Sequence, residues 1–209
     1  MFTRAIVVGP LQVNCYVIAD ESSKKAAVID PGDEPDMIMD IIEQNNFVVE
    51  YIICTHGHFD HTGAVVDIKR ETGAKVVLHK DELQIYNSVK DMGAFWGFEL
   101  EEQPGPDILI DEDTSIKIGE ICFEIFHSPG HSPGGICLYG NGIVITGDTL
   151  FADSVGRVDL PYGDIEKLKQ SFRRLMALPE STKVLPGHGP LTTIGKEKRD
   201  NLFSEELLD

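Results

Sequence analysis

The sequence lacks any concentrated run of basic residues. Its 209 residues include 18 Lys and Arg against 35 Asp and Glu, which gives a formal net charge of −17. Such an acidic surface repels phosphate backbones and anionic lipids, so we expect neither a nucleic-acid partner nor a membrane partner. No apolar run approaches the roughly 20 residues of a membrane span, and the first residues lack the order of a signal peptide. We therefore predict a cytoplasmic protein that acts on a small molecule.

Cysteine is scarce and shows no paired spacing. The four cysteines, Cys15, Cys54, Cys122 and Cys137, form no Cys-x-x-Cys pair, and each lies in an apolar, strand-like run. This pattern is typical of reduced, buried thiols in a cytosolic protein.

Short strands and helices alternate along the chain, without a repeat or a low-complexity linker. The apolar spacing predicts strands at residues 2–8, 13–19, 26–30, 48–54, 75–79, 115–118, 121–127, 135–139, 143–146 and 183–185. Helices are predicted at residues 34–46, 62–72, 165–178 and 196–207, and residues 80–106 read as irregular. Two sheets packed face to face with helices outside satisfy this order. Because the candidate ligands come from both halves, we expect one domain over residues 1–209.

Three of the seven histidines fall within six residues. Residues 55–61 read Thr-His-Gly-His-Phe-Asp-His, between a buried strand and a helix. Imidazole nitrogens suit zinc or iron, and Asp60 adds a carboxylate. Residues two apart can turn the same way, so His56 and His58 can share one ion while Asp60 and His61 face a second.

Three further candidates follow in tight turns after strands. His131 lies in Ser-Pro-Gly-His-Ser-Pro-Gly, Asp148 in Thr-Gly-Asp-Thr and His188 in Pro-Gly-His-Gly-Pro. A rigid scaffold presents functional groups at such positions. Together with the first motif they make a set of five histidines and two aspartates.

This order of residues, His-x-His-x-Asp-His followed by His, Asp and His, resembles the metallo-β-lactamase superfamily over nearly the whole chain. The resemblance implies an α/β fold, a four-layer αββα sandwich with two divalent metal ions between the sheet edges. It implies that one ion is held by His56, His58 and His131, that the other is held by Asp60, His61 and His188, and that Asp148 bridges them. Zinc is the expected metal, and the carboxylate at Asp148 also suits iron or manganese.

Within the superfamily, the Ser-Pro-Gly-His-Ser-Pro-Gly and Gly-Asp-Thr-Leu-Phe segments resemble hydroxyacylglutathione hydrolases (glyoxalase II), particularly their short bacterial forms. The resemblance implies hydrolysis of a small anionic thioester, such as one linked to glutathione, with Asp60 also accepting a proton in catalysis. Larger glyoxalase II enzymes add a helical glutathione-binding domain, and only residues 190–209 follow the last motif here. They also place a Lys and a Tyr after the bridging aspartate, where this chain reads Gly-Arg-Val-Asp. Arg157 is therefore the candidate residue for binding a substrate carboxylate.

Other reactions share this ligand pattern. A persulfide dioxygenase uses one iron, which His56, His131 and Asp148 would hold here, and metal-dependent esterases, lactonases and nucleases resemble the pattern too. The net charge weighs against a nuclease, and a carboxylate at Asp148 weighs against a zinc β-lactamase of the commonest kind. A metal-binding protein without catalysis is the remaining alternative, but the glycines around the ligands favour an accessible site.

Two polar residues have two interpretations each. Asp30 is either a turn residue or a carboxylate that lies behind a ligand imidazole and orients it. Arg157 either binds substrate or forms a salt bridge with Asp159 or Asp164.

Histidines and aromatics outside the motifs have weaker claims. His127 is expected to be structural and His79 to be a surface residue. Phe95, Trp96 and Phe98 either line the substrate pocket or anchor a long connection on the core.

Overall fold

A computed structural model describes residues 1–111 and 114–204, and over these residues the strands form two six-stranded sheets and a small hairpin. The first sheet contains, side by side, β1 (Phe2–Val8), β2 (Val13–Ala19), β3 (Lys25–Ile29), β4 (Val48–Ile53), β5 (Lys75–His79) and β6 (Ile108–Ile110). The first three strands pair antiparallel, and β3 to β6 pair parallel.

The second sheet comes from the later part of the chain. It contains, side by side, β7 (Thr114–Ile118), β8 (Ile121–His127), β9 (Ile136–Gly140), β10 (Ile143–Gly147), β13 (Lys183–Pro186) and β14 (Thr192–Thr193). Its pairs are antiparallel except β10 with β13. Between these two strands the chain forms the small hairpin of β11 (Leu150–Phe151) and β12 (Ser154–Val155).

Helices cover the outer faces of both sheets. They are α1 (Pro35–Gln44), α2 (Phe59–Thr62), α3 (Val65–Thr72), a 3-10 turn (Lys80–Glu82), α4 (Leu83–Tyr86), α5 (Val89–Phe95), α6 (Ile165–Met176) and α7 (Ile194–Asp200). Capping fixes where α6 begins. The Asp164 carboxylate accepts hydrogen bonds from the backbone N–H groups of Glu166 and Lys167 in the first turn, and such a cap is typically worth about 1 kcal/mol. Among the described residues, no helix combines the length and hydropathy that crossing a membrane requires.

Three apolar layers hold the sandwich together. Ile38 of α1 and Ile68 of α3 pack on the outer face of the first sheet, and Phe172 of α6 packs on the outer face of the second. Between the sheets, Ile29 and its neighbours meet Phe123 and its neighbours. Each such side chain contributes about 1.5–3 kcal/mol when fully buried. The predicted αββα sandwich is therefore confirmed.

The observed elements differ from the predicted ones at several places. The stretch predicted to be irregular contains the 3-10 turn and helices α4 and α5, and the helix predicted at residues 62–72 is split into α2 and α3. The terminal helix begins at Ile194 and ends at Asp200, while residues 205–207 of its predicted span lie outside the described residues. Three thiols are buried, but the expectation for Cys122 was wrong, because alternation along β8 turns it to solvent.

Candidate metal centre

The candidate ligands lie where strands of both sheets end at one edge of the sandwich. Strands β4, β8, β10 and β13 each lead into a segment that contains at least one candidate ligand. Contacts across the two sheets fix this edge, since the Tyr16 hydroxyl donates to the Pro186 carbonyl at 2.7 Å. The Asn14 amide donates to the carbonyls of Pro186 and Gly189, both at 2.9 Å. The loop that contains His188 is thus bound to strand β2.

The first cluster contains His56, His58 and His131, all buried. The Nε2 atom of His131 lies 3.0 Å from Nδ1 of His58. The three rings are almost mutually perpendicular, with interplanar angles of 87°, 83° and 86°. Because an imidazole lone pair lies in the plane of its ring, perpendicular rings can direct three nitrogens at one ion.

Burial favours the neutral forms of His56 and His58. Desolvation, followed by neighbouring histidines, lowers the pKa of His56 well below its usual value. Desolvation and then His131 lower the pKa of His58 to about 4. Both rings are therefore neutral at physiological pH and keep the lone pair that a metal ligand requires.

The second cluster contains Asp60, His61 and His188. The Nε2 atoms of His61 and His188 lie 3.3 Å apart, and Oδ2 of Asp60 lies 3.7 Å and 3.5 Å from them. Asp148 contacts both clusters. Its Oδ1 lies 3.4 Å from Nε2 of His61, and its Oδ2 lies 3.6 Å from Nε2 of both His131 and His188.

Negative charge dominates the second cluster. Burial opposes a charge on His61, but Asp148, Asp60 and Asp30 outweigh it and raise its pKa to about 10. Burial likewise opposes a charge on Asp60, yet His61 and His188 keep the pKa of that carboxyl well below its usual range. When no metal is bound, His61 is therefore protonated, and its positive charge offsets the charge of the surrounding carboxylates.

Two buried polar atoms without hydrogen-bond partners are suited to bind a metal ion. Among the described residues, Nε2 of His56 and Oδ1 of Asp148 are buried without a hydrogen-bond partner, a condition that costs about 1–3 kcal/mol for each atom. A Cβ on Gly187 would lie 2.2 Å from Oδ1 of Asp148, so glycine leaves that atom room. The nitrogen and oxygen donors suit zinc, iron or manganese.

Two further groups orient the ligand imidazoles. Oδ2 of Asp30 lies 3.1 Å from Nδ1 of His61, and the backbone N–H and hydroxyl of Thr55 donate to Asp30 at 2.7 Å and 2.6 Å. Asp30 adopts φ +52°, unusual for a non-glycine residue. These contacts favour the orienting interpretation over a plain turn. The carbonyl of Arg157 accepts from Nδ1 of His131 at 2.8 Å, a contact that no side-chain pattern could indicate.

The Arg157 side chain forms the surface salt bridge that was the alternative interpretation. Its Nε and Nη2 atoms donate to the two oxygens of Asp159 at 2.7 Å and 2.6 Å. Asp164, the other suggested partner, instead caps α6. An exposed pair of this kind contributes about 0–1 kcal/mol, so substrate binding by Arg157 stays a prediction.

His79 was wrongly expected at the surface. It is buried, and its ring stacks on His127 with centroids 4.2 Å apart and an interplanar angle of 10°. With Asp81 these two histidines lie close enough to form a further group of possible ligands, but their parallel rings do not surround one point as the perpendicular rings of the first cluster do. His127 donates from Nε2 to the Pro133 carbonyl at 2.9 Å, which fits the structural role expected for it.

The three aromatics of residues 95–98 divide between two environments. Phe98 packs on Phe59 of α2, with ring centroids 5.2 Å apart. Phe95 and Trp96 are 83% and 61% exposed. Of the three, Phe98 is therefore the one that packs on the protein, and it also lines a small pocket that includes Asp60, so both interpretations stay open for this residue.

Comparison with known proteins agrees with this fold and site. The family model described as Metallo-beta-lactamase superfamily matches residues 8–188, which include every candidate ligand. The chain belongs to this superfamily. One relative is hydroxyacylglutathione hydrolase GloC of Haemophilus influenzae, 36% identical over 97% of this chain and 98% of the relative.

Solved structures of this superfamily are similar over nearly the whole chain. BLEG-1 B3 metallo-beta-lactamase is 35% identical with a TM-score of 0.91, covering 97% of this chain and 99% of its own. TTHA1623 in a di-iron-bound form is 38% identical with a TM-score of 0.88, covering 96% and 99%. ETHE1 from Myxococcus xanthus is 25% identical with a TM-score of 0.83, covering 99% and 85%. Superfamily membership and the two clusters make this chain a metal-dependent hydrolase at the level of class.

Proposed function

We propose that the chain is a dinuclear hydrolase that cleaves small anionic thioesters of the acylglutathione type. The position of Asp148 carries this proposal, because its carboxylate contacts ligand nitrogens of both clusters. A carboxylate shared by two clusters can hold two ions close together, which two-ion hydrolysis requires. The likeness to a hydroxyacylglutathione hydrolase over almost the full length supports the choice of substrate.

The chain's own residues have distinct tasks in this reaction. Two divalent ions, when bound, supply Lewis-acid polarisation of a carbonyl and lower the pKa of water toward about 7. They would be held by His56, His58 and His131, by Asp60, His61 and His188, and by Asp148 between them. Asp30 and the Arg157 carbonyl fix the rings of His61 and His131. Asp60, whose Oδ2 lies 3.5 Å from Nε2 of His188, is the proposed acceptor of a proton from the attacking water. A thiolate leaves without protonation, so the chain needs no general acid.

Substrate approaches from the side of the second cluster. The side chains of His188 and Asp60 are 28% and 17% exposed, whereas His56, His58 and His131 of the first cluster are buried. The Gly156–Arg157 segment lies against the site, since a Cβ on Gly156 would lie 1.8 Å from the Asp148 carbonyl oxygen and 3.1 Å from Cβ of His131. A bidentate guanidinium there can exchange Asp159 for a substrate carboxylate.

The second cluster supports two ions over one, although persulfide dioxygenases keep the same residues and only their reaction separates the two functions. A persulfide dioxygenase would need His56, His131 and Asp148 with one iron. Here Asp60, His61 and His188 converge as closely as the first three histidines, which supports two ions. The persulfide dioxygenase alternative and the likeness to a B3 metallo-beta-lactamase make oxygen consumption and β-lactam hydrolysis the reactions to test against thioester hydrolysis.

A substrate panel tests the proposal. Protein loaded separately with zinc, manganese or ferrous ion is assayed with S-lactoylglutathione, an uncharged thioester, a chromogenic cephalosporin, and glutathione persulfide with an oxygen electrode. We expect kcat/KM for S-lactoylglutathione on the order of 100-fold above that for the cephalosporin, with no oxygen uptake. Oxygen uptake without thioester hydrolysis would establish the dioxygenase instead, and a preference for the cephalosporin would establish a β-lactamase.

A further inference from the structure

Glu82 is a carboxylate with no solvent exposure, at the end of the 3-10 turn that follows β5. Burial raises the pKa of this carboxyl. Its Oε2 accepts the backbone N–H of Gly57 at 2.8 Å, and its Oε1 accepts the backbone N–H of Gly134 at 2.6 Å. Acidic side chains are almost never fully buried without such partners.

Both of these partners belong to loops that carry metal ligands. Gly57 separates His56 from His58, and Gly134 lies three residues after His131. The first loop follows β4 of one sheet, and the second joins β8 to β9 of the other. One carboxylate therefore joins the two loops that form the first cluster. Its two oxygens have a fixed separation, so it also sets the distance between the loops.

The two glycines allow the backbone to come this close to Glu82. A Cβ on Gly57 would lie 3.0 Å from Oε2 of Glu82 and 2.9 Å from the backbone nitrogen of Tyr86. A Cβ on Gly134 would lie 2.8 Å from the backbone nitrogen of Glu82 and 2.8 Å from Nδ1 of His79. Real Cβ contacts are not this short, so neither loop could keep its position with a larger residue.

We propose that Glu82 is a positioning residue for the first metal cluster. It holds the backbone of His56 and His58 against the His131 loop, so that three perpendicular imidazoles face one ion before that ion binds. Glu82 itself is not a ligand. Hydrogen bonds from N–H groups to an ionised carboxylate are stronger than those between neutral groups, which suits a contact that must fix two loops. This role concerns metal affinity and is independent of which substrate the protein hydrolyses.

Glu82→Gln tests the proposal. Glutamine keeps the shape of the side chain, but its NH2 group would face one of the two backbone N–H groups, so two donors would meet and one hydrogen bond would be lost. Zinc affinity is measured for both ions by competition with a chromogenic chelator, starting from metal-free protein. We expect affinity for one ion to fall about 10–100-fold, while the other changes only a few-fold. Glu82→Asp keeps the charge but is too short to reach both loops, and it should weaken the same ion. It serves as the readout if the glutamine variant does not fold.

Asp20→Asn is the matched control. Asp20 is buried and joins the two halves of the chain through the backbone N–H groups of Ser22 and Glu120, both at 3.0 Å. It follows the far end of β2, roughly 20 Å from the metal centre at about 3.3 Å per residue. We expect this variant to lose thermal stability with unchanged zinc affinity. The proposal is overturned if Glu82→Gln binds both ions like the wild type, or if Asp20→Asn weakens zinc binding equally.

Discussion

Asp148 is the residue on which the link between the two clusters depends. Its oxygens lie within 3.6 Å of histidine nitrogens from both. Asp148→Ala should leave less than one ion per chain and reduce kcat/KM by more than the roughly 10–100-fold typical of losing an outer partner. The chain should still fold, because the lost atoms make few bonds to the protein. Elemental analysis, circular dichroism and thioester kinetics check this, and retention of two ions with near-normal turnover would refute the assignment.

His61 links metal binding at the second cluster to pH. Three carboxylates raise its pKa to about 10 against the opposing effect of burial, so it is protonated at pH 7.5 when no metal is bound. A metal ion must displace that proton from Nε2. Zinc binding should therefore release about one proton, and affinity should rise as pH rises toward 10. Calorimetry in buffers of different ionisation enthalpy measures the release, and binding without proton release would contradict the charge state.

Substitution of Arg157 distinguishes a role in substrate recognition from a role in a surface salt bridge. If its guanidinium exchanges Asp159 for a substrate carboxylate, Arg157→Ala should raise KM several-fold for anionic thioesters and leave an uncharged thioester unaffected. Thermal stability should hardly change, since exposed pairs contribute about 0–1 kcal/mol. Arg70→Ala is the control, because that arginine pairs with Asp67 and Glu101 on the surface. A loss of stability with equal kinetics toward both substrates would assign Arg157 to structure alone.

At the scale of elements, the sequence predicted those strands and helices that have a regular apolar spacing and end at turn residues. Apolar runs ending at glycine, proline or histidine turns gave the long strands and the segments that contain the ligands. Strands of two or three residues, such as β11, β12 and β14, are too short for a period to emerge. The helices within residues 80–95 were missed because their apolar residues follow no single period, and packing of α5 on α2 supplies the order that propensity lacks. Residues 96–106 are irregular, as predicted.

Within the site, residue types indicated the candidate ligands and Asp30, but not the other groups that support them. The seven ligand candidates were recognisable because imidazoles and carboxylates cluster in the sequence. The Arg157 carbonyl belongs to the backbone, and Glu82 has an unremarked position in the sequence, so neither has a side-chain signature. Their contacts follow from which loops the two sheets bring together. For the same reason the burial of His79 was missed.

The turn between β13 and β14 allows a testable prediction at the scale of elements. A Cβ on Gly187 would lie 2.2 Å from Oδ1 of Asp148 and 2.8 Å from Cε1 of His61, so Gly187→Ala must displace the turn or the ligands. We expect metal affinity and thioester turnover to fall at least about tenfold. Gly105→Ala is the control, since a Cβ there meets no atom within 4 Å. Equal metal binding by the two variants would show that the turn does not shape the site.

The whole molecule has an acidic surface, and its proposed function requires it to bind divalent cations and anionic substrates. A net charge of −17 raises the local concentration of divalent ions and opposes the approach of anionic substrates. Two bound divalent ions would reverse the field locally, where Asp30, Asp60 and Asp148 otherwise concentrate negative charge. Metal loading should therefore decide both catalysis and access for the proposed substrate.

A metal titration of activity tests the central claim most directly. Metal-free protein is titrated with zinc, and separately with ferrous ion, while hydrolysis of S-lactoylglutathione is followed. The proposed dinuclear site predicts no turnover without metal and activity that increases until two equivalents are bound. Full hydrolysis by the metal-free protein, or activity that saturates at one equivalent, would contradict it.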